Sequence, residues 1–545
     1  MASVGQTGLG IGRIFQRKSV AQIQSELTHG ELKRTLGALN LILLGIGCII
    51  GTGIFVLTGT AAARFSGPAI TISFVITGTL CAFVALCYAE LASALPVSGS
   101  AYSYSYASMG EIAAWVMGIL LITEYGLSAS TVAVGWSGYF VSLLQDNIGI
   151  HIPAALTAAP GVPIKDAAGH VIGSGIVNLP AVAIIMAVTG LLVIGISESA
   201  RVNNIVVAIK LTVVIAFITI GAFYVHPANL SPLVPAEIPP PPPGTPMDLG
   251  SQILRAIGDV LTGDSHSMYG VGGVITGAAR IFFAYLGFEA VSTAGAESRN
   301  PAKDMPIGII GSLVICTTLY ILTSAVLVGI VPYAQLDTPA PIALAVNKIG
   351  MPWFAVLVKI GAIAGLSSVM LVLLYGQTRI FYTMSRDGLL PRIMSVIHQR
   401  FRTPWINTII VGIIACGAAG FLTIDNLADL SNVGSLTAFA LVCITVIYLR
   451  FSSPGLKRPF RVPLYPVVPI LGAGMCLILL RSILNNRNLI EFLGLKFTIA
   501  QFFFTYLIVG FLIYFAYGMW HSKLRQGILV TGHEAEPMEL PHPDA

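Results

Sequence analysis

The sequence predicts an all-α integral membrane protein of twelve transmembrane helices. Ten of them form a five-plus-five inverted repeat with helices 1 and 6 broken, and two additional helices follow. Three observations predict this. The chain of 545 residues is 55% hydrophobic and 10% charged, with mean hydropathy +0.85, which no soluble globular chain of that length shows. Apolar windows recur along it, each long enough to cross a hydrocarbon core of about 30 Å as a helix. The first and sixth windows are interrupted in mid-membrane, one by clustered glycines and one by a glycine beside an acid.

The windows fall at about 39–63, 69–94, 112–143, 178–197, 203–225, 272–294, 305–331, 352–384, 405–423, 430–450, 464–481 and 499–519. Residues 1–38 are polar and lack a cleavable signal pattern, so they read as a cytoplasmic N-terminal segment and the first span does the targeting. Residues 39–225 are the first repeat, 226–271 a Pro-rich extracellular loop, 272–450 the inverted repeat, 451–519 the two added helices, and 520–545 a cytoplasmic tail. Pro239 to Pro243 form a stiff spacer, and Pro537, Pro541 and Pro543 mark the tail as disordered. Basic residues such as Arg17, Lys18, Arg34, Arg386, Arg392 and Arg458 concentrate on the side of the N-terminus, which puts both termini in the cytoplasm.

The first anomaly runs from Gly45 to Phe55, with glycines at 45, 47, 51 and 53. Each costs about 1 kcal/mol against alanine in a helix interior. The pattern reads either as a broken helix or as close packing of neighbouring helices, with Gly51-Thr52-Gly53 favouring the break. The second anomaly, Arg280 to Thr293, places Gly287 and Glu289 at mid-membrane depth. Five helices separate the two, so the sixth span runs antiparallel to the first and the breaks lie side by side. The half-helix starting near Ile54 offers the amides of Thr52, Gly53 and Ile54 to a carboxylate. The half-helix ending near Phe283 leaves the carbonyls of Phe283, Ala284 and Leu286 for an ammonium group. A carboxylate at one break and an ammonium at the other describe an α-amino acid.

Four stretches resemble a known family: GIGCIIGTGIFVLTG (45–59), Pro96 to Tyr104, FFAYLGFEAVST (282–293) and Met384 to Pro391. They are similar to the amino acid–polyamine–organocation (APC) superfamily, and within it to bacterial members of the cationic amino acid transporter subfamily. The resemblance spans roughly residues 30–520 and implies a LeuT-type fold and proton-linked amino acid transport. Carried over by position, it implies a carboxylate site at Ile49, Gly51, Thr52 and Gly53. The α-amino site falls on Phe283, Ala284, Leu286 and Glu289, where relatives often have Asp in place of Glu289. It further implies that Glu124 faces the side-chain end of the pocket. Lys210 is implied to stand where sodium-coupled cousins hold sodium, bridging span one near Gly45 and Ile46 to Ser367 and Ser368.

Apart from the resemblance, Lys210 lies about 10 Å into the fifth span and is a candidate proton-coupling group, because ionisable residues at that depth are functional by default. Glu90 and Glu198 read as loop hydrogen-bonding groups near span ends. Arg280 and Lys359 read as snorkelling side chains, with gate ion pairs as the alternative. Tyr102, Tyr104 and Tyr106 read as packing for a loop helix. The seven cysteines, all in apolar spans, read as buried thiols. No phosphate loop, HExxH or clustered metal spacing occurs, and His151, His170, His226 and His266 scatter through exterior loops; the chain reads as no enzyme. No cofactor is implied, and a proton gradient is the driving force. The partners are an amino acid (cationic or small neutral), protons and the lipid bilayer, with no nucleic acid; a small membrane subunit stays open. The expected product is a permease of the plasma membrane, the inner membrane in a Gram-negative host. An amino acid exchanger and a transport-silent sensor are the alternatives.

Overall fold

The structure is a computed structural model that describes residues 16–18, 34–97, 99–165, 171–195, 200–238, 248–262, 268–485, 489–492, 495–526, 528–531 and 534–537. Pro239 to Pro243, Glu198, His170, His266, Pro541 and Pro543 lie outside the described residues.

Helix α1 (Ala38–Ile49) stops at Ile50, whose extended ψ of 95° takes the chain out of the helix. Helical geometry resumes as a π turn over Gly53–Leu57, continues to residue 66, and turns at Gly67 (φ +59°) into α2 (Ile70–Ala94). After α3 (Ser100–Ser108) comes the long α4 (Glu111–Ile148). Then follow α5 (Leu179–Ile194), α6 (Ala200–Gly221), α7 (Leu249–Thr262) and α8 (Gly270–Ile281). The rest of the chain builds α9 (Pro301–Ile330), α10 (Pro341–Lys348), α11 (Pro352–Arg386) and α12 (Trp405–Phe421). It ends with α13 (Ile424–Ser452), α14 (Val467–Leu484) and α15 (Ile499–His521). Among the described residues nine helical stretches are long and apolar enough to cross a membrane, and Ala38–Ile49, Leu179–Ile194 and Trp405–Phe421 are shorter apolar helices.

Local chemistry starts these helices where they start. Asn178 accepts from the Ala181 amide, and Thr423 from the Asn426 amide. Thr498 and Gln501 form a reciprocal capping box. Prolines open α9, α10 and α11, where a missing N–H costs nothing. In the core α9 runs against α2 and α1, α11 against α4, and α13 against α14. All seven cysteines are free thiols, all but Cys416 fully buried.

The structure adds regular elements between and after the spans, and the tail departs from its expected disorder. The segment 226–271 holds a helix, α7, because Ile253, Ala256, Ile257 and Val260 recur at helical spacing, with Ala256 and Val260 buried. Asp248 starts it; hydrogen bonds from Ser251 hold the Asp248 carboxyl below the usual carboxylate range. Asn485 of the loop after α14 donates to Val260 O at 2.6 Å and pins the far end. The loop after α4 carries a hairpin, β1 (Pro163–Lys165) with β2 (Val171–Ser174). A second hairpin, β3 (Leu489–Phe492) with β4 (Leu495–Thr498), precedes α15. The tail, expected to be disordered, pairs β5 (Ile528–Thr531) with β6 (Glu534–Pro537), since its apolar, β-branched run outweighs the prolines further on.

Both readings of the span-one glycines hold, at different positions. A Cβ on Gly53 would come within 2.2 Å of Ala284 Cα, and one on Gly45 within 2.4 Å of Ser312 Oγ. One on Gly51 would make ordinary contact, 3.6 Å from Val369. Gly53→Val is therefore expected to abolish recovery of a monodisperse protein on size-exclusion chromatography, an overpacking cost of at least about 3 kcal/mol. Gly51→Ala is expected to leave that elution profile unchanged.

Candidate functional site

Two discontinuous helices meet in the middle of the bundle. α8 tightens into a 3-10 turn over Phe282–Tyr285, and Leu286 is extended. Gly287 then takes φ +116°, a region L side chains avoid, and a Cβ there would strike Cys48 at 2.8 Å. The chain resumes as a 3-10 helix over Glu289–Glu297. Gly53 abuts Ala284, so the second half of span one touches the first half of span six. The sequence-predicted residues Ile49, Gly51, Thr52, Gly53, Phe283, Ala284, Leu286 and Glu289 are brought together here, all buried.

The carbonyls are less open than expected. Phe283 O accepts from the Leu286 amide at 3.3 Å. Ile49 O and Ala284 O both meet the hydroxyl of Tyr320 on α9, at 2.7 and 2.9 Å. Lys210, 0% exposed on α6, donates from Nζ to Gly47 O at 2.5 Å and to Ile50 O at 3.1 Å. That is a few residues further along than the expected Gly45 and Ile46, because only the last carbonyls before the break lack helical partners. On α11, Gly365 lies against the Lys210 chain, while Ser367 Oγ accepts from Trp136 Nε1 at 3.0 Å.

Glu289 is turned towards its own half-helix, where its carboxylate accepts from the Gly287 amide at 2.8 Å. The carboxyl oxygen thereby takes up an amide at the helix start. Glu124 sits in a five-residue π turn of α4, Thr123–Leu127. Its polar neighbours include the Glu289 carboxyl and Ser435, but Ser435 donates to Ser431 O at 3.0 Å. Among the described residues neither oxygen of Glu124 has a hydrogen-bond donor, and the residue is 1% exposed. Thr52 Oγ1 and both amide atoms of buried Gln377 are in the same position. Gln377 lies beside Gly126 of the π turn. Sequence reasoning missed Tyr320 and Gln377; lone polar groups at mid-span were the available signal.

Ion pairs close both rims. On the side expected to be exterior, Arg64 bridges Asp337 at 2.9 Å and Asp425 at 2.6 Å. Arg280 pairs with Asp429 of α13 and stacks over Phe65. Lys359 pairs with Asp146 at 2.8 Å. Arg280 and Lys359 are thus ion-paired rather than snorkelling, since each meets an acid on a neighbouring helix. On the opposite side Lys18 pairs with Asp387 at 2.8 Å, and Tyr102 donates to the same carboxylate at 2.7 Å. Glu90 holds Arg450 and the Val462 amide, the loop-bonding role expected of it.

The profile of the amino acid permease family matches residues 36–515. The chain belongs to the amino acid permease family. The permease is 44% identical over 518 residues to the branched-chain amino acid permease BcaP of Bacillus subtilis (strain 168), covering 94% of this chain and 100% of that one. It is 43% identical over 513 residues to the methylthioribose transporter of the same organism, covering 94% and 99%. It is 36% identical over 436 residues to cationic amino acid transporter 3, mitochondrial, of Arabidopsis thaliana, covering 80% and 65%. These relatives are transporters, not enzymes, and the permease is a multi-pass membrane protein of the APC superfamily.

The Arg280 and Arg64 pairs differ in burial, and their weights follow. Arg280→Met removes the guanidinium beside the Asp429 carboxylate, 1% exposed, and is expected to cost about 3–5 kcal/mol. Arg64→Ala removes a guanidinium with 43% exposure and is expected to cost no more than about 1 kcal/mol. Thermal unfolding of the detergent-solubilised permease, compared between the two variants, checks the order.

Proposed function

We propose that this permease is a secondary amino acid transporter of the plasma membrane, twelve-spanned with both termini cytoplasmic, that works by alternating access and couples uptake to protons through Lys210. In this reading Ala38–Ile49 and residues 53–66 are the two halves of span one, and Leu179–Ile194 and Trp405–Phe421 complete the twelve in a LeuT-type arrangement. The observation that carries it is the meeting of the two half-helices at Gly53 and Ala284, with helix-start amides on one and terminal carbonyls on the other. Thr52, Gly53 and Ile54 then receive the carboxylate, and the carbonyls around Ala284 the ammonium.

The buried contacts of Lys210 with Gly47 O and Ile50 O support its coupling role. The charged ammonium grips these carbonyls more strongly than a neutral amine does, so loss of the proton loosens span one from α6. Glu124, lacking a donor, supports substrates whose side chain ends in a cation or hydrogen-bond donor. The names of the relatives keep branched-chain and cationic amino acids both in view.

Two measurements test this. Uptake of a radiolabelled amino acid panel into proteoliposomes, with and without an inward proton gradient, is expected to be gradient-stimulated in wild type and to lose that stimulation in Lys210→Ala. Uptake that ignores the gradient and requires internal amino acid makes the protein an exchanger instead; binding without flux makes it a sensor. Glu124→Gln is expected to weaken competition by arginine and lysine about ten-fold or more, with alanine little changed, as loss of a buried charged hydrogen bond implies.

A further inference from the structure

We propose that the hydroxyl of Tyr320 sets the distance between the two half-sites, and with it the requirement that amine and carboxylate sit on the same carbon. The inference rests on the amino acid reading above. Tyr320 belongs to neither broken helix, yet its one hydroxyl lies 2.7 Å from Ile49 O and 2.9 Å from Ala284 O, the carbonyls at the edges of the two breaks. Its ring has little freedom. Phe74 and Tyr285 flank it at centroid distances of 5.6 and 5.5 Å, and Tyr285 OH donates to Phe74 O at 2.8 Å. The residue is fully buried.

Ala284 is therefore held on two sides. Gly53 touches it with no room for a Cβ, and Tyr320 holds its carbonyl. The amides beside Gly53 and the carbonyl of Ala284 keep a fixed separation as long as both contacts last. A hydroxyl carries one proton and so donates to one of the two carbonyls at a time. The other keeps acceptor capacity, which an ammonium with three donors can use. Substrate and Tyr320 thus share one pair of acceptors, so the hydroxyl holds the ammonium side of the site in place against the amides beside Gly53.

The test uses the full chain in proteoliposomes and matched competitors: L-alanine against β-homoalanine, and L-arginine against β-homoarginine. Each pair keeps the side chain and adds one carbon between amine and carboxylate. Wild type is expected to prefer the α-amino acids. Tyr320→Phe is expected to lower that preference about five- to ten-fold, the factor one hydrogen bond carries. Tyr320→His, whose ring N–H can donate from nearby, is expected to restore part of it. Tyr506→Phe, which loses a hydroxyl bond of 2.8 Å to Ile119 O far from the breaks, is expected to leave the ratio unchanged. A monodisperse Tyr320→Phe protein that weakens both members of a pair equally overturns the proposal. If that variant does not fold, a wild-type ratio in Tyr320→Leu, which also lacks a donor, overturns it instead. A wild type that neither member of a pair inhibits overturns the amino acid reading itself, whereas a preference retained in Tyr320→Phe overturns only the role of Tyr320.

Discussion

Peptide groups released from a helix in mid-membrane have no water to turn to, and an unsatisfied one there costs several kcal/mol. The architecture of this permease is arranged around that cost. Gly47 O and Ile50 O are met by Lys210 from α6, Ile49 O and Ala284 O by Tyr320 from α9. Asn432 of α13 donates to Ala279 O near the end of α8. Each break is thus stitched by a side chain from another helix, and the helices that supply the stitches are bound to the breaks in return. Deep polar side chains are expensive in an apolar bundle; here they offset a second expense, the open backbone.

The same logic governs the rims. Asp429 and Lys359 are almost wholly buried, and each has an opposite charge beside it, Arg280 and Asp146. Glu111, fully buried at the start of α4, accepts from Tyr106 of α3 and from Tyr514 and Ser522 at the end of the chain. That one carboxylate joins the loop helix, the third span and the last span. Arg64, Arg280 and Lys359 are paired at one end of the helices and Lys18 and Arg450 at the other.

Two π turns lie where the chemistry is. Gly53–Leu57 follows the first break, and Thr123–Leu127 carries Glu124. An extra residue in a turn displaces the following face and weakens local hydrogen bonding, which is why such turns recur at functional positions. The second turn aims Glu124 at Glu289 and sets Gly126 beside Gln377.

By itself the sequence determined the membrane class and the two breaks, because these follow from composition, window length and local backbone cost, all properties of contiguous residues. It also determined which residues gather at the breaks, Ile49 to Gly53 and Phe283 to Glu289, since glycine and an intramembrane acid are legible without neighbours. Only the tertiary structure decided what meets them. The bonds of Tyr320 reach back 271 residues to Ile49 and 36 to Ala284, and Arg280 finds Asp429 on α13. Whether Glu289 faces a ligand or caps its own half-helix depends on the turn at Gly287, and whether Glu124 has a partner depends on a serine whose proton is already committed. Hydrogen bonds and ion pairs act over a few ångströms of space, and no spacing along the chain encodes which distant residue will fill them.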